Sequence, residues 1–142
     1  MRNYFTYLPR PEKPPVWGIA VTGAGFTRIP PGGAYPPTEF HHPSDHMFTW
    51  EKGRVLDMWQ IILIHRGSGW FESHPTGRRR CRAGTVFILF PGVWHRYKPD
   101  PKIGWTDSYI EFAGPVPDQL RTQGALQPKR ALFHLGEQPE LT

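Results

Sequence analysis

A strand, a Pro-Gly turn and a histidine follow one another in the second half of the chain. Residues 85–90 are apolar and rich in β-branched and aromatic types, which favours a short strand. Pro91 and Gly92 then turn the chain, and His95 follows closely. An imidazole at the end of such a strand can form a hydrogen bond at the mouth of a barrel, or it can bind a metal ion.

A metal site at His95 is poorly supported by the rest of the sequence. Such a site needs three or four nitrogen or oxygen ligands. The stretch of residues 59–69, which could carry the partners, offers only Gln60 and His65. We therefore predict no metal and no cofactor, and we leave one alternative open, in which histidines of a long loop complete a site. These loop histidines are His41, His42 and His46.

A second group of polar residues alternates along residues 105–112. Trp105, Asp107, Tyr109 and Glu111 share one face of this predicted strand. If that face lines the interior of a barrel, a buried Asp107 needs a partner such as an arginine or a ligand hydroxyl. Aromatic rings beside a carboxylate suit a sugar, which offers an apolar face and directional hydroxyls. In the alternative, Asp107 faces solvent or caps the loop before the strand.

The sequence lacks the patterns of several enzyme classes. No Gly-x-Ser-x-Gly motif is present, and no Gly-rich loop precedes a helix. Cys81 is the only cysteine, which excludes an internal disulfide and agrees with a reducing compartment. The chain has neither 18 consecutive apolar residues nor the apolar run of a signal peptide. We therefore predict a cytoplasmic protein without membrane contact and without enzymatic activity.

The elements that position these residues are short strands and turns. The 142 residues include 15 glycines and 17 prolines, together with six Trp, five Tyr and nine Phe. This composition predicts a mainly β domain, either an antiparallel sandwich or a small barrel able to hold a ligand. We expect strands over residues 16–23 and 25–29, and a hairpin that turns at residues 66–69. One helix is predicted over residues 117–123.

The remaining segments are an arm, a loop and a basic run. Residues 1–15 contain four prolines and are predicted to form an arm, because such a segment cannot hold a central strand. Residues 30–45 form a loop long enough to suggest a functional role. The net charge is +5, and its densest run is at residues 78–82. We interpret that run as one solvated arm of a hairpin in preference to a DNA-binding patch.

Three stretches together carry a resemblance to a known family. They are residues 59–73, with Arg66-Gly67-Ser68-Gly69, residues 83–97, with Pro91-Gly92-Val93-Trp94-His95, and residues 104–114, with Trp105-Thr106-Asp107-Ser108-Tyr109. In this order and spacing they resemble the N-terminal, effector-binding cupin domain of AraC-type transcriptional regulators. The resemblance covers residues 16–135 and implies a cupin-like double-stranded β-helix, or jelly-roll barrel, with one or two short helices.

The resemblance also implies a ligand and the residues that hold it. Family members bind a small molecule, often a sugar, inside the barrel. By motif, the positions that contact the sugar in the arabinose-binding member correspond here to Thr27, Arg54, Tyr97, Asp107 and Tyr109. We add His95 at the barrel mouth as a sixth candidate. The final-strand pair is Asp and Tyr where that member has His and Trp, which argues against arabinose itself.

The resemblance predicts a sensor domain that controls the activity of another domain. Residues 16–135 would form the ligand-binding domain, and residues 136–142 would start a linker to a C-terminal helix-turn-helix domain absent from this chain. The expected partner of this domain is a carbohydrate effector. DNA would be contacted only by the absent C-terminal domain, and a second copy of the chain is a candidate partner in a homodimer. The competing hypotheses are a small metal-dependent cupin isomerase or dioxygenase, and a dimerisation module with a filled barrel.

Overall fold

The computed structural model describes residues 2–37 and 42–136. This part of the chain forms eight strands, one α-helix and two 3₁₀ helices. The strands are β1 (Tyr4–Tyr7), β2 (Ala20–Ile29), β3 (Trp59–Ser73), β4 (Gly77–Arg82), β5 (Thr85–Leu89), β6 (His95–Pro99), β7 (Trp105–Ala113) and β8 (Leu132–His134). The helices are α1 (Pro115–Thr122) and the 3₁₀ segments Ser44–His46 and Pro128–Arg130.

The strands form two antiparallel sheets that share β3. The first sheet has the order β1-β2-β7-β3-β5-β8, and the second places β3 between β4 and β6. The mainly β, cupin-like jelly-roll prediction is therefore confirmed. Inward-facing side chains of both sheets, among them Ile62, Ile64, Phe71 and Phe87, form the core. Burying each of them contributes roughly 1.5–3 kcal/mol.

The strand β3 passes from one sheet to the other without a turn. It pairs with β7 as far as Gly67, opposite Trp105, and with β4 from Ser68, opposite Arg82. Gly67 has a φ of 83°, and a Cβ there would lie 2.1 Å from the carbonyl oxygen of Gly104. The hairpin predicted at residues 66–69 is therefore wrong, because glycines in a strand can also mark a barrel corner. The chain turns later, between β3 and β4.

Two other predictions of elements need correction at their boundaries. The strands predicted over residues 16–23 and 25–29 are the single strand β2, which carries a register shift between Val21 and Gly23. The predicted helix is confirmed as α1, which begins two residues earlier, at Pro115. Proline suits a first helical turn because its missing N–H has no partner there in any case.

The N-terminal segment contributes an edge strand. Within the proline-rich segment, β1 pairs antiparallel with β2, with Tyr4 opposite Phe26 and Tyr7 opposite Gly23. An edge position agrees with the expectation that this segment cannot hold a central strand. Its alternation places Phe5 and Tyr7 towards the barrel interior, where both line a cavity.

Candidate functional site

The barrel encloses a small cavity with about 50 Å³ of free space. Five of the six predicted site residues line it and come from β2, the segment before β3, β6 and β7. They are Thr27, Arg54, Tyr97, Asp107 and Tyr109. Residues of the N-terminal strand and of the loop after β2 cover the same space. These covering residues include Phe5, Tyr7, Tyr35, His42, His46 and Phe48.

Asp107 is a buried carboxylate that faces this cavity. It lies opposite Thr27 in the pairing of β2 with β7, and its exposed fraction is 7%. Burial raises the pKa of Asp107 to about 7, while hydrogen bonding from the indole of Trp105 lowers it. The Trp105 Nε1 is buried, and its contact with the carboxylate is looser than an ordinary hydrogen bond. The inward-facing prediction for Asp107 therefore describes its position correctly.

Arg54 is held at the cavity wall by three hydrogen bonds. Its Nε donates to His95 Nε2 over 2.9 Å, its Nη1 to the carbonyl of His46 over 2.7 Å, and its Nη2 to the Tyr97 hydroxyl over 2.6 Å. The guanidinium carbon also lies 4.6 Å from the ring centre of Phe48. This frame fixes the orientation of the guanidinium before any ligand arrives.

His95 lies behind Arg54 and does not line the cavity. It is 1% exposed, and burial lowers its pKa to about 3, with a further contribution from the nearby Arg54 charge. Because Nε2 accepts the bond from Arg54, the Nδ1 proton is free to point to the carbonyl of Val93 at 3.2 Å. His95 is thus a positioning residue for Arg54, and its role as a direct ligand contact is not supported by this geometry.

A chain of hydroxyl groups connects β7 with β1 and the long loop. The Tyr109 hydroxyl donates to the Tyr7 hydroxyl over 3.0 Å, and Tyr7 lies 2.6 Å from His42 Nδ1. Burial raises the pKa of Tyr7 to about 12, so this phenol stays protonated. The same contacts bring the N-terminal strand down over the cavity.

Glu111 forms a second polar cluster that the sequence did not identify as a site. This carboxylate is 2% exposed and accepts hydrogen bonds from Thr22 at 2.9 Å and from Gln60 at 2.8 Å. It also contacts His46 Nε2, which the 3₁₀ helix Ser44–His46 brings in. Alternation with Asp107 along β7 was the available signal for Glu111. Nothing local indicated His46, which meets it across 65 positions of sequence.

The His46–Glu111 pair is ionic. Burial disfavours the charged form of each group, but their mutual hydrogen bond outweighs it: the pKa of His46 is raised and the pKa of Glu111 is lowered. Asp45 and Gln60 add to these shifts through their own hydrogen bonds. The pair thus links the loop to β7 and carries no net charge.

The histidines proposed for an alternative metal site have other partners. Within residues 2–37 and 42–136, no three His, Cys, Asp or Glu side chains are arranged to hold a metal ion. His42 contacts Tyr7, His46 contacts Glu111, and His95 accepts from Arg54. The remaining candidate, His41, lies outside the described residues.

A larger and more open groove lies outside the barrel interior. Its free space is about 400 Å³, and it runs between the end of β2 and the corner of β3. Phe26, His65, Arg66 and Ile103 are among its lining residues. None of the six predicted site residues lines it. We therefore place the candidate site in the smaller inner cavity, where five of them meet.

An antiparallel jelly roll with polar residues directed into an aromatic-lined interior defines the chain as a cupin-type ligand-binding domain. A family model described as "AraC-like ligand binding domain" matches residues 38–142. The chain belongs to this family. No sequence among the curated proteins matches the chain significantly.

Two solved structures resemble the chain, and the first of them supports the fold. The protein YhaK from Escherichia coli matches with a TM-score of 0.57 and 12% sequence identity, over 96% of this chain. The chain spans about half (51%) of YhaK. The cupin domain of Schizosaccharomyces pombe Cnp3 matches with a TM-score of 0.47 and 17% identity, over 89% of this chain and 77% of that domain. Among the described residues, no helix is long and apolar enough to cross a membrane.

Proposed function

We propose that this domain senses a small-molecule effector, a sugar or sugar derivative, which binds inside the barrel. The observation that carries the proposal is the buried Asp107 carboxylate, which faces the cavity and whose one hydrogen-bond donor among the described residues is the loosely placed Trp105 indole. A buried carboxylate with so few donors is costly unless a ligand or water adds to them. A ligand hydroxyl that donates to Asp107 supplies a further bond.

The residues around Asp107 suit the rest of such a ligand. Thr27 offers a hydroxyl, Tyr97 and Tyr109 offer aromatic rings, and Arg54 offers N–H donors. The free space of about 50 Å³ holds a few water molecules, so a sugar-sized effector must displace part of the cover. Phe5 and Tyr7 belong to an edge strand held by one neighbour, which makes β1 the element most easily displaced.

Family membership supports a regulatory role, in which the bound effector controls DNA binding by another domain. Effector binding in the barrel would alter the arm and loop that cover it, and the change would reach a C-terminal helix-turn-helix domain that binds DNA. The alternative of a metal-dependent cupin enzyme has less support, because the lone pair of His95 Nε2 already accepts the hydrogen bond from Arg54.

A thermal-shift screen tests the proposed function. The purified chain is heated with pentoses, hexoses, uronic acids and oligosaccharides at millimolar concentration. A ligand present at 100 times its Kd adds about 2.7 kcal/mol to the free energy of unfolding. We expect at least one compound to raise the melting temperature, and a screen without any stabilising compound would contradict the proposal.

Variants locate the binding within the barrel. Asp107→Ala should lower the affinity for a stabilising compound by roughly tenfold or more, since a hydrogen bond to a charged group contributes about 1.5–3 kcal/mol. Asp57→Ala is the matched control, because Asp57 is exposed and remote from the cavity. Tyr109→Phe should also weaken binding, and Tyr4→Phe should not, since Tyr4 is 48% exposed. Unchanged binding by Asp107→Ala and Tyr109→Phe would move the site elsewhere.

A further inference from the structure

Arg54 is a cation without an acidic partner among the described residues. The ion pairs in this part of the chain involve His46, Arg78, Arg80 and Arg96, and none involves Arg54. Its partners are the neutral imidazole of His95, a backbone carbonyl and a phenol. These bonds use three of the five N–H groups of the guanidinium, and no described residue bonds the other two.

The charges around the cavity do not compensate for Arg54. The charges of His46 and Glu111 cancel within their own ion pair. Asp45 bonds to His46, and the Asp45 side chain is 60% exposed. The hydrogen bond with His46 lowers the pKa of Asp45 more than the charge of Arg54 does, so Asp45 belongs with His46. Asp107 is partly neutral near pH 7, because burial raises its pKa to about 7. The described residues of the cavity wall therefore carry an excess positive charge at neutral pH.

We infer that the effector is a hydroxylated carboxylate, whose carboxylate binds the free N–H groups of Arg54 and whose hydroxyl binds Asp107. This inference rests on the proposed function and narrows its ligand class. A guanidinium fixed at the wall of a pocket is the side chain best suited to bind a carboxylate, through two parallel N–H···O bonds.

The hydroxyl requirement comes from the buried carboxylate of Asp107, which faces the cavity. Among the described residues, only the Trp105 indole acts on it as a hydrogen-bond donor, and that contact is looser than an ordinary hydrogen bond. The carboxylate can therefore accept further bonds, and a ligand hydroxyl on the cavity side supplies one. An ammonium could also donate to Asp107, but it would be repelled by Arg54.

Matched pairs of small molecules test the inference by isothermal titration calorimetry. Each pair differs only by a carboxylate in place of a CH₂OH group: lactate and propane-1,2-diol, glycerate and glycerol, D-glucuronate and D-glucose, and D-galacturonate and D-galactose. For at least one pair we expect the acid to bind about tenfold or more tightly than its neutral partner, from the charge-assisted bonds to Arg54.

Arg54→Gln should abolish this preference for the acid, so that the acid and its neutral partner bind with affinities within about twofold of each other. Arg54→Lys guards against misfolding, because it keeps the charge but loses the paired geometry, and it should retain a reduced preference. Arg82→Gln is the control, since Arg82 is exposed on β4 and carries the same change of charge.

Each contrary outcome identifies what fails. Equal affinity for acid and neutral partner in the wild-type protein would overturn the carboxylate inference and leave the sensing function intact. A preference for the acid that survives in Arg54→Gln would overturn the role of Arg54. Absence of binding by all eight compounds would also overturn the inference, and the wider screen described above would then decide whether sensing fails as well.

Discussion

Asp107 is the residue on which the site depends most. Burial raises its pKa to about 7, from an ordinary value near 4. The folded protein therefore binds a proton more readily at this position than the unfolded chain does. A raised carboxyl pKa makes the folded state less stable as the pH rises from about 4 to 7, because charging the buried group is unfavourable.

The first prediction concerns Asp107→Asn. An amide keeps the shape but carries no charge, so this variant should be more stable than the wild-type protein at pH 8, by at most about 4 kcal/mol. The advantage should shrink towards zero near pH 4, where Asp107 is protonated in both states. Urea denaturation at pH 4, 6 and 8 measures it. The exposed Asp57→Asn should show no such trend, and an equal trend in both variants would contradict the burial of Asp107.

Most of the candidate site was predictable at the level of single residues. Alternation along one strand placed Asp107 and Tyr109 on the inward face, and the family resemblance indicated Thr27, Arg54 and Tyr97; all five line one cavity. His95 was interpreted as a contact and instead supports Arg54. Arg54 lies between His95 and the cavity, and the order of residues along the chain does not indicate which of the two side chains reaches the cavity.

At the scale of elements, one buried ion pair joins the loop after β2 to β7. Glu111 has a lowered pKa, so its contribution to stability is present above its unfolded pKa and is lost as the pH falls through its folded value. His46 has a raised pKa, so its contribution is present below its unfolded pKa and is lost as the pH rises through its folded value. The loop should be held most firmly between these limits.

The second prediction is that Glu111→Gln weakens this attachment. Removing one member of a buried ion pair costs about 3–5 kcal/mol when the other remains charged, and His46 can reduce that cost by losing its proton. We therefore expect a loss near the lower end of the range, together with faster proteolysis in residues 30–48. Urea denaturation and timed digestion measure the two effects. Glu51→Gln, on an exposed position, should change neither.

The third prediction concerns the corner of β3. Gly67→Ala combines a positive φ with a clash against a backbone carbonyl, whereas Gly77→Ala has a positive φ of 68° and open space around the new Cβ. The φ penalty alone is about 1–2 kcal/mol, so Gly77→Ala should lose that amount and Gly67→Ala clearly more. Equal losses in thermal or urea unfolding would show that the close approach at the corner is unimportant.

The elements themselves could be predicted better than their connections. Apolar and aromatic patterning predicted β5 and β7 at nearly their observed bounds. The misplaced hairpin shows the limit, because Gly67 and Gly69 are equally compatible with a tight turn and with a strand that bends between two sheets. The choice is made by Gly104 and Trp105, which approach that backbone from a distant part of the chain.

For the whole molecule, the basic run does not stand apart as an isolated patch. Arg80 bonds to Asp100 at 2.9 Å and lies 4.4 Å from the ring centre of Trp70, while Arg96 on β6, on the other side of β3, pairs with Glu72. These contacts fit the interpretation of residues 78–82 as a solvated hairpin arm. Positive charges on this surface are thus partly paired with acids, while Arg54 at the barrel cavity has no acidic partner among the described residues.

The most direct test of the sensing function is a crystal structure of the protein with the most stabilising compound from the screen. We predict one ligand inside the barrel, within hydrogen-bond distance of Asp107 and in contact with Tyr97 and Tyr109. Ligand density in the open groove beside His65 and Arg66, with the barrel interior unchanged, would contradict the proposed site.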